Sequence, residues 1–161
     1  MRHRGSWDKD ENKSFKNGPL VCPGKYKAVL SLGEKKLETE FIISKDPKLS
    51  VSNQDLRNLE LFQLKVIEKI SEAKNLENKI EKMLSEKKLN KREKSLVLKA
   101  QEDMTTKEGT YMQPMLVAQY NYLYSMLTRS DQEVGNDAHL RLKELNERLE
   151  KNKKLINSVS P

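Results

Sequence analysis

Two glutamates, Glu38 and Glu40, are the carboxylates whose spacing first suggests chemistry. Glycoside hydrolysis uses two carboxyl groups about 5 to 10 Å apart, one of which has a raised pKa. These glutamates, however, alternate with Leu37, Thr39 and Phe41, which places both on the polar side of an ordinary strand. We interpret them as solvated side chains and expect no catalytic residue in this chain.

Histidine and cysteine, which often bind metals or act in catalysis, are sparse. The two histidines, His3 and His139, are too few and too far apart in the sequence for a metal site or a catalytic triad. Cys22 is the only cysteine, so we interpret it as a small buried hydrophobic residue. The sequence has no glycine-rich phosphate loop and no G-x-S-x-G motif. We therefore expect no metal or cofactor.

A basic run at a predicted helix break is the candidate for binding phosphates. Its members are Lys87, Lys88, Lys91, Arg92 and Lys94. The net charge of +7, from 31 basic and 24 acidic residues, is compatible with sequence-independent contacts to nucleic acid. No aromatic residue interrupts the run to stack on bases, and charge is expected at a helix break. A basic helical nucleic-acid-binding protein is therefore an alternative and not the preferred interpretation.

Aromatic residues are the remaining candidates for recognition. Four tyrosines are candidates for a platform that binds a carbohydrate or a partner protein: Tyr111, Tyr120, Tyr122 and Tyr124. Tyr120 and Tyr124 share a helical face with several leucines, which favours core packing for both. Tyr122 lies on another side and is the exposed candidate. We expect Trp7 to cover the predicted strands rather than bind a ligand.

The composition indicates long two-faced helices around a thin core. Of the 161 residues, 35% are hydrophobic and 34% are charged. No apolar run approaches the roughly 20 residues that span a bilayer, so we expect no membrane-spanning helix. The N-terminal segment MRHRGSWDKD lacks the apolar stretch of a secretory signal.

Period-two alternation predicts two strands. Apolar and polar residues alternate over residues 26–32 and again over 37–43, the pattern of half-buried strands. A turn around Gly33 joins them. Pro23-Gly24 before the first strand is typical of a type II turn with positive φ at the glycine, and Asp46-Pro47 ends the second strand. Two strands alone bury too little surface to be stable, so helices or missing strands must cover them.

Helical periodicity predicts one long helix after the strands. It opens at Ser50 or Ser52, because Asp55 follows Ser52 at the spacing of a capping box, and it reaches about Glu86. One face of it is predicted to be buried, with apolar residues at three-four spacing: Leu59, Phe62, Val66, Ala73, Leu76, Ile80 and Met83.

The rest of the chain is also predicted to be helical. A shorter helix covers 91–101, and residues 102–112 read as a connection. Residues 113–138 form a helical hairpin, with Pro114 in the first helical turn and a turn from 130 to 137 that includes Asp131. In that turn Gly135 is expected to take positive φ and Asn136 to cap the last helix, which runs to about residue 157.

These elements predict an α+β fold that is mainly an α-helical bundle. A small antiparallel β-hairpin, or partial β-sandwich, precedes three to four helices. We predict two domains, with residues 1–48 as the partial sandwich and 49–161 as the bundle. On the polar face of the last helix, Glu144 and Arg148 are four residues apart and are predicted to form a surface pair.

An ordered series of motifs resembles the C-terminal region of sortilin-like Asp-box (BNR-repeat) β-propeller proteins, often labelled glycosyl hydrolases. The motifs cover nearly the whole chain: Ser6-Trp7-Asp8, the run 18–26 with Pro23-Gly24 and Tyr26, Asp46-Pro47, the run 113–124 and the run 131–138. Lys48 stands where these proteins usually have an arginine, and this chain contains neither an Asp-box nor the propeller.

The resemblance implies a non-catalytic accessory and interaction module. Such a module packs on the β-propeller of its parent protein or associates with another copy of itself. The resemblance also implies that any glycoside hydrolase active site lies outside this chain, and that the location is extracytoplasmic. The candidate residues for an interaction are Trp7, Tyr122, Lys87, Lys88, Lys91 and Arg92.

Overall fold

A computed structural model describes residues 18–86 and 88–159. In chain order its elements are β1 (Gly24–Leu32), β2 (Lys35–Ile43), α1 (Asn53–Glu86), α2 (Lys91–Met104), α3 (Leu116–Leu127) and α4 (Asn136–Asn157). The fold is α+β and mainly helical, which confirms the predicted class. The predictions for Trp7 and Lys87 fall outside the described residues.

The described residues group into two compact units. The first contains residues 18–63 and 128–134, and the second contains 64–127 and 135–159. The second unit thus holds α2, α3, α4 and most of α1. The division into sequence domains 1–48 and 49–161 stays a prediction.

Strands β1 and β2 form an antiparallel hairpin in which Leu30 lies opposite Leu37 and Tyr26 opposite Phe41. The connection is a two-residue turn, and its first residue, Gly33, has φ 57°, a value that glycine adopts without steric cost. Both strands were expected from the alternation. The type II turn at Pro23-Gly24 is wrong, because Gly24 is the first residue of β1 and is not among the residues with positive φ.

Helix α1 begins where its capping residues predict. The backbone N–H of Asp55 donates to Oγ of Ser52 at 3.1 Å, and that hydroxyl donates to the Asp55 carboxylate, so Ser52 satisfies a donor that the first turn leaves free. The seven apolar residues predicted to line its buried face are all buried.

Two helix boundaries differ from the prediction. Helix α2 continues through residues 102–104, because Met104 is fully buried and Asp103 accepts hydrogen bonds from α4. Helix α3 begins at Leu116, and the N–H of Gln119 donates to the carbonyl of Met115. Pro114 therefore lies before the helix and not in its first turn. Both differences come from tertiary contacts and capping geometry that periodicity does not report.

The start of α4 also differs in detail. Gly135 is its N-cap, with φ −67°, and no side chain caps the helix. Asn136 is the first helical residue, so its predicted capping role and the predicted positive φ of Gly135 are both wrong. The apolar face is as expected, with Ala138, Leu142, Leu145, Leu149 and Ile156 buried.

Polar side chains link α2, α3 and α4 in the second unit. Asp103 accepts hydrogen bonds from Arg148 and from Asn152, each at 2.6 Å. The other guanidinium nitrogen of Arg148 donates to Gln119 at 2.7 Å. Arg148 therefore bonds across helices, and the partner of Glu144 is Arg141 at 2.9 Å. The predicted Glu144–Arg148 pair is wrong, because the carboxylate on α2 competes successfully for the arginine.

Candidate functional site

The most unusual surface of the described residues is one face of the β-hairpin. Because side chains alternate across a strand and the pairing register is known, one face carries Gly24, Lys35 and a set of eight further residues: Tyr26, Ala28, Leu30, Leu32, Leu37, Thr39, Phe41 and Ile43. We call these eight residues the apolar face. Leu30 is 66% exposed, Leu32 78% and Leu37 69%. The sequence pattern predicted half-buried strands, but the outer half of this face is open to solvent.

The base of the hairpin is anchored in the first unit. The rings of Tyr26 and Phe41 stack with centroids 6.0 Å apart, and the Tyr26 hydroxyl donates to the carbonyl of Cys22 at 2.7 Å. The N–H of Cys22 in turn donates to Glu60 on α1 at 3.3 Å. Burial and the neighbouring Cys22 and Glu60 raise the pKa of Tyr26 to about 12, so its phenol remains a donor.

The opposite face of the hairpin is mostly polar. It carries Lys25, Lys27, Ser31, Lys36, Glu38 and Glu40 together with Val29 and Ile42. Lys27 and Glu38 form an ion pair at 2.8 Å, with both side chains about half exposed. Such exposed pairs contribute little to stability. Glu38 and Glu40 therefore lie on a solvated face, as interpreted from the sequence.

The exposed leucines make the apolar face a candidate docking surface. Isolated two-stranded hairpins are marginally stable in water, and a hydrophobic face normally packs against other strands or a helix. Leu30 and Leu37 lie directly opposite each other, and Leu32 lies two residues along β1 from Leu30. Contiguous exposed apolar patches on folded proteins often mark sites of protein association. The sequence indicated that the strands needed a cover, but it did not single out Leu30, Leu32 and Leu37.

A small cleft in the first unit is a weaker candidate. It has a volume of about 140 Å³, and its walls include Cys22, Lys45, Asp46, Glu60 and Asp131. Pockets for small-molecule ligands usually measure roughly 300 to 1,000 Å³. The backbone N–H of Lys48 also donates a hydrogen bond to the Asp46 carboxylate at 2.9 Å. Asp46 and Pro47 thus form the turn after β2 rather than a ligand site.

The predicted aromatic candidates separate as the helical pattern indicated. Tyr120 and Tyr124 are buried on α3, whereas Tyr122 is 63% exposed on the same helix. The Tyr120 hydroxyl donates to Asn146 on α4 at 2.9 Å, so this ring belongs to the core of the second unit.

The basic run surrounds a helix N-terminus that is already capped. Lys88, Lys91 and Arg92 are exposed. Glu93 lies between Arg92 and Lys94 in the sequence. Its carboxylate accepts a hydrogen bond from the backbone N–H of Asn90 at 2.9 Å, and its own backbone N–H donates to the Asn90 side chain. This capping box places a carboxylate where a phosphate would bind. It weakens the case for a phosphate site.

Two partly buried carboxylates of the second unit, Glu72 and Asp103, are paired with cations. Burial by itself would raise the pKa of Glu72, but hydrogen bonds from Lys153 and Lys69, each 2.6 Å long, hold that pKa below its usual value. Burial also opposes ionisation of Asp103, and bonds from Arg148 and Asn152 hold its pKa below the usual value too. A general acid needs the opposite shift, so these two carboxylates are suited to bracing helices.

The same shifts predict an acid-sensitive second unit. A carboxyl group whose pKa is lowered by folding stabilises the fold above its unfolded pKa, about 4, and this contribution disappears as the pH falls through the folded pKa. We expect the urea midpoint to fall between pH 5 and pH 2, and to fall less in Asp103→Asn. The exposed Glu147→Gln serves as the matched control on α4. An equal pH dependence in both variants would contradict the assignment.

The described residues contain no candidate for a metal site or a membrane-spanning helix. No three histidine, cysteine or acidic side chains in residues 18–86 and 88–159 are grouped to hold a metal ion. In the same residues, no helix is long and apolar enough to cross a membrane. Comparison with protein-family models, curated proteins and solved structures finds no match. The resemblance to sortilin-like propeller proteins therefore depends on the sequence motifs alone.

Proposed function

We propose that this chain is a non-catalytic accessory module whose apolar face packs against a β-rich partner protein. The observation that carries the proposal is the exposure of Leu30, Leu32 and Leu37 on one face of a two-stranded sheet. A sheet that packs face to face on another sheet buries such a row of side chains. The lowered pKa values of the cation-paired carboxylates Glu72 and Asp103 support a binding role over a catalytic one.

The proposed partner is the β-propeller of a sortilin-like, glycosyl hydrolase-like parent protein. Support comes from the ordered motifs that run from Trp7 to Ala138, since motifs of this kind lie beside a propeller in that family. In this proposal any glycoside hydrolase activity belongs to the propeller, and the location is extracytoplasmic. The module's own residues supply the apolar face and the helical unit.

Size-exclusion chromatography with light scattering tests the proposal. We expect this chain, mixed with a separately produced sortilin-like propeller, to elute as a complex whose mass is the sum of the two. An unrelated WD-repeat propeller is the control and should not bind. If the chain instead elutes alone at a multiple of 18.7 kDa, its partner is a second copy of itself and not the propeller. If the chain elutes as a monodisperse monomer and does not bind the sortilin-like propeller, the proposal is contradicted.

The alternative of a nucleic-acid-binding protein has less support. Neutralising five phosphates with the basic run would give a log–log salt slope of about −4.5 on random duplex DNA. The Glu93 carboxylate lies within that run and caps the helix, which lowers the positive potential there. We therefore do not prefer this function.

A further inference from the structure

The outer edge of β1 has hydrogen-bonding groups directed away from β2. In a hairpin with a two-residue turn, the pair that flanks the turn exchanges both hydrogen bonds, and every second pair after it does the same. Here the flanking pair is Leu32 and Lys35. The N–H and C=O groups of Lys25, Lys27, Val29 and Ser31 consequently point outward. Among the described residues this sheet has two strands, so none of them supplies a third strand at that edge.

The charges at this edge have one sign. The outward-pointing residues of β1 include Lys25 and Lys27, both exposed. The corresponding residues of β2 carry both signs, Lys36 with Glu38 and Glu40. In the described part of the chain, Lys25 has no ion-pair partner, and Lys27 has one exposed partner, Glu38. The β1 edge therefore favours an acidic neighbour, whereas the β2 edge selects neither sign.

The size of the apolar face also argues for an added strand. Nine residues at roughly 3.3 Å per residue make a strand about 30 Å long, and two strands about 4.8 Å apart give a footprint of about 300 Å². Stable complexes bury about 800 Å² on each partner. Face-to-face packing on the hairpin alone is too small for this, but a partner that also pairs with an edge widens the sheet and gains backbone hydrogen bonds.

A second copy of this chain is a poor occupant of the β1 edge. A two-fold axis through this edge would pair residues 25–31 of β1 with the same residues of the second copy, with Lys25 opposite Ser31 and Lys27 opposite Val29, so neither lysine would gain an acidic partner. Pairing β1 of one copy with β2 of the next matches charges but does not close, so it would produce open-ended chains. A closed dimer through this edge is therefore disfavoured.

We propose that the outer edge of β1 accepts an extended strand of a partner protein in which apolar and acidic residues alternate. The added strand pairs its backbone with residues 25–31, aligns its acidic side chains with Lys25 and Lys27, and extends the apolar face with its other side chains. This is strand addition, in which backbone bonds provide affinity and alternate side chains provide specificity. The inference rests on the proposed function and specifies how the partner is held.

Fluorescence anisotropy with two nine-residue peptides tests the inference. One peptide alternates valine with glutamate, and the other alternates valine with lysine. We expect the acidic peptide to bind about tenfold more tightly at low salt, and the preference to shrink at high salt because charges are screened. Lys25→Glu combined with Lys27→Glu should reverse the preference. Equal affinity for both peptides, or no binding of either, would overturn the proposal.

Matched proline variants identify the edge that is used. Val29→Pro removes an outward N–H from β1, and Glu40→Pro removes the equivalent outward N–H from β2, in each case without loss of a bond within the hairpin. We expect Val29→Pro to weaken binding of the acidic peptide at least tenfold and Glu40→Pro to change it less than twofold. Equal losses would show that β1 has no special role.

The outcomes separate this inference from the proposed function. If the propeller complex forms but survives Val29→Pro unchanged, the edge plays no part and only the inference fails. If the acidic peptide binds at β1 but no propeller complex forms, the edge preference stands and the proposed partner is wrong.

Discussion

Leu30→Lys combined with Leu37→Glu is expected to weaken the propeller complex at least about 100-fold. Each leucine that is buried in an interface contributes roughly 1.5 to 3 kcal/mol, so the loss of two costs about 3 kcal/mol or more, and each 1.4 kcal/mol is about a factor of ten in affinity. The free energy of unfolding should change by about 1 kcal/mol or less, because both side chains are about two-thirds exposed in the unbound structure and opposite charges across a strand pair are tolerated.

Leu61→Lys combined with Leu140→Glu is the matched control for that experiment. These leucines are also exposed, at 59% and 63%, but they lie on helices α1 and α4 and not in the hairpin. The control makes the same two chemical changes and leaves the same net charge. We expect binding within threefold of the parent by isothermal titration calorimetry. Equal weakening of binding by the two double variants would show that the apolar face is not part of the interface.

Tyr120→Ala is expected to cost about 3 to 5 kcal/mol of the free energy of unfolding, the range for loss of a fully buried aromatic ring. The side chain is 0% exposed. Burial, with Glu72 and Glu150 nearby, raises the pKa of Tyr120 well above its usual value, so the hydroxyl stays protonated and donates to Asn146. Tyr120→Phe removes that bond alone and should cost about 1 kcal/mol.

Tyr122→Ala, two residues away on the same helix, is the control for this prediction. Because Tyr122 is 63% exposed, its loss should change the free energy of unfolding by about 0.5 kcal/mol or less. Urea denaturation measures all three variants, with an unchanged slope indicating that only stability has changed. Similar costs for Tyr120→Ala and Tyr122→Ala would contradict the assignment of one ring to the core and the other to the surface.

Elements with strong periodicity and a local cap were predictable from the sequence. The Ser52 cap and the end of α1 at Glu86 follow from side-chain chemistry within a few residues. The extension of α2 to Met104 was not predictable, since it depends on Arg148 and Asn152, more than 40 residues later. Pro114 and Gly135 suited several positions at a helix start, and local sequence did not distinguish between them.

The candidate site was predictable in part. Alternation correctly placed Leu30 and Leu37 on one face, and the small size of the sheet indicated that this face needs a cover. Alternation does not report whether another element of the same chain provides that cover, so the leucines were expected to be half-buried. The lysines at the outer edge of β1 gained significance only when the register showed which backbone groups point outward.

The thiol of Cys22 is a natural probe of how the base of the hairpin is anchored. It is the only cysteine in the chain, it is 8% exposed, and its sulfur lies 3.6 Å from the Tyr26 hydroxyl. Because the thiol is nearly covered, we expect alkylating reagents to reach it only when that corner opens, so the rate of maleimide labelling would report opening at the base of the hairpin. No engineered label is needed to follow the same event while a partner binds.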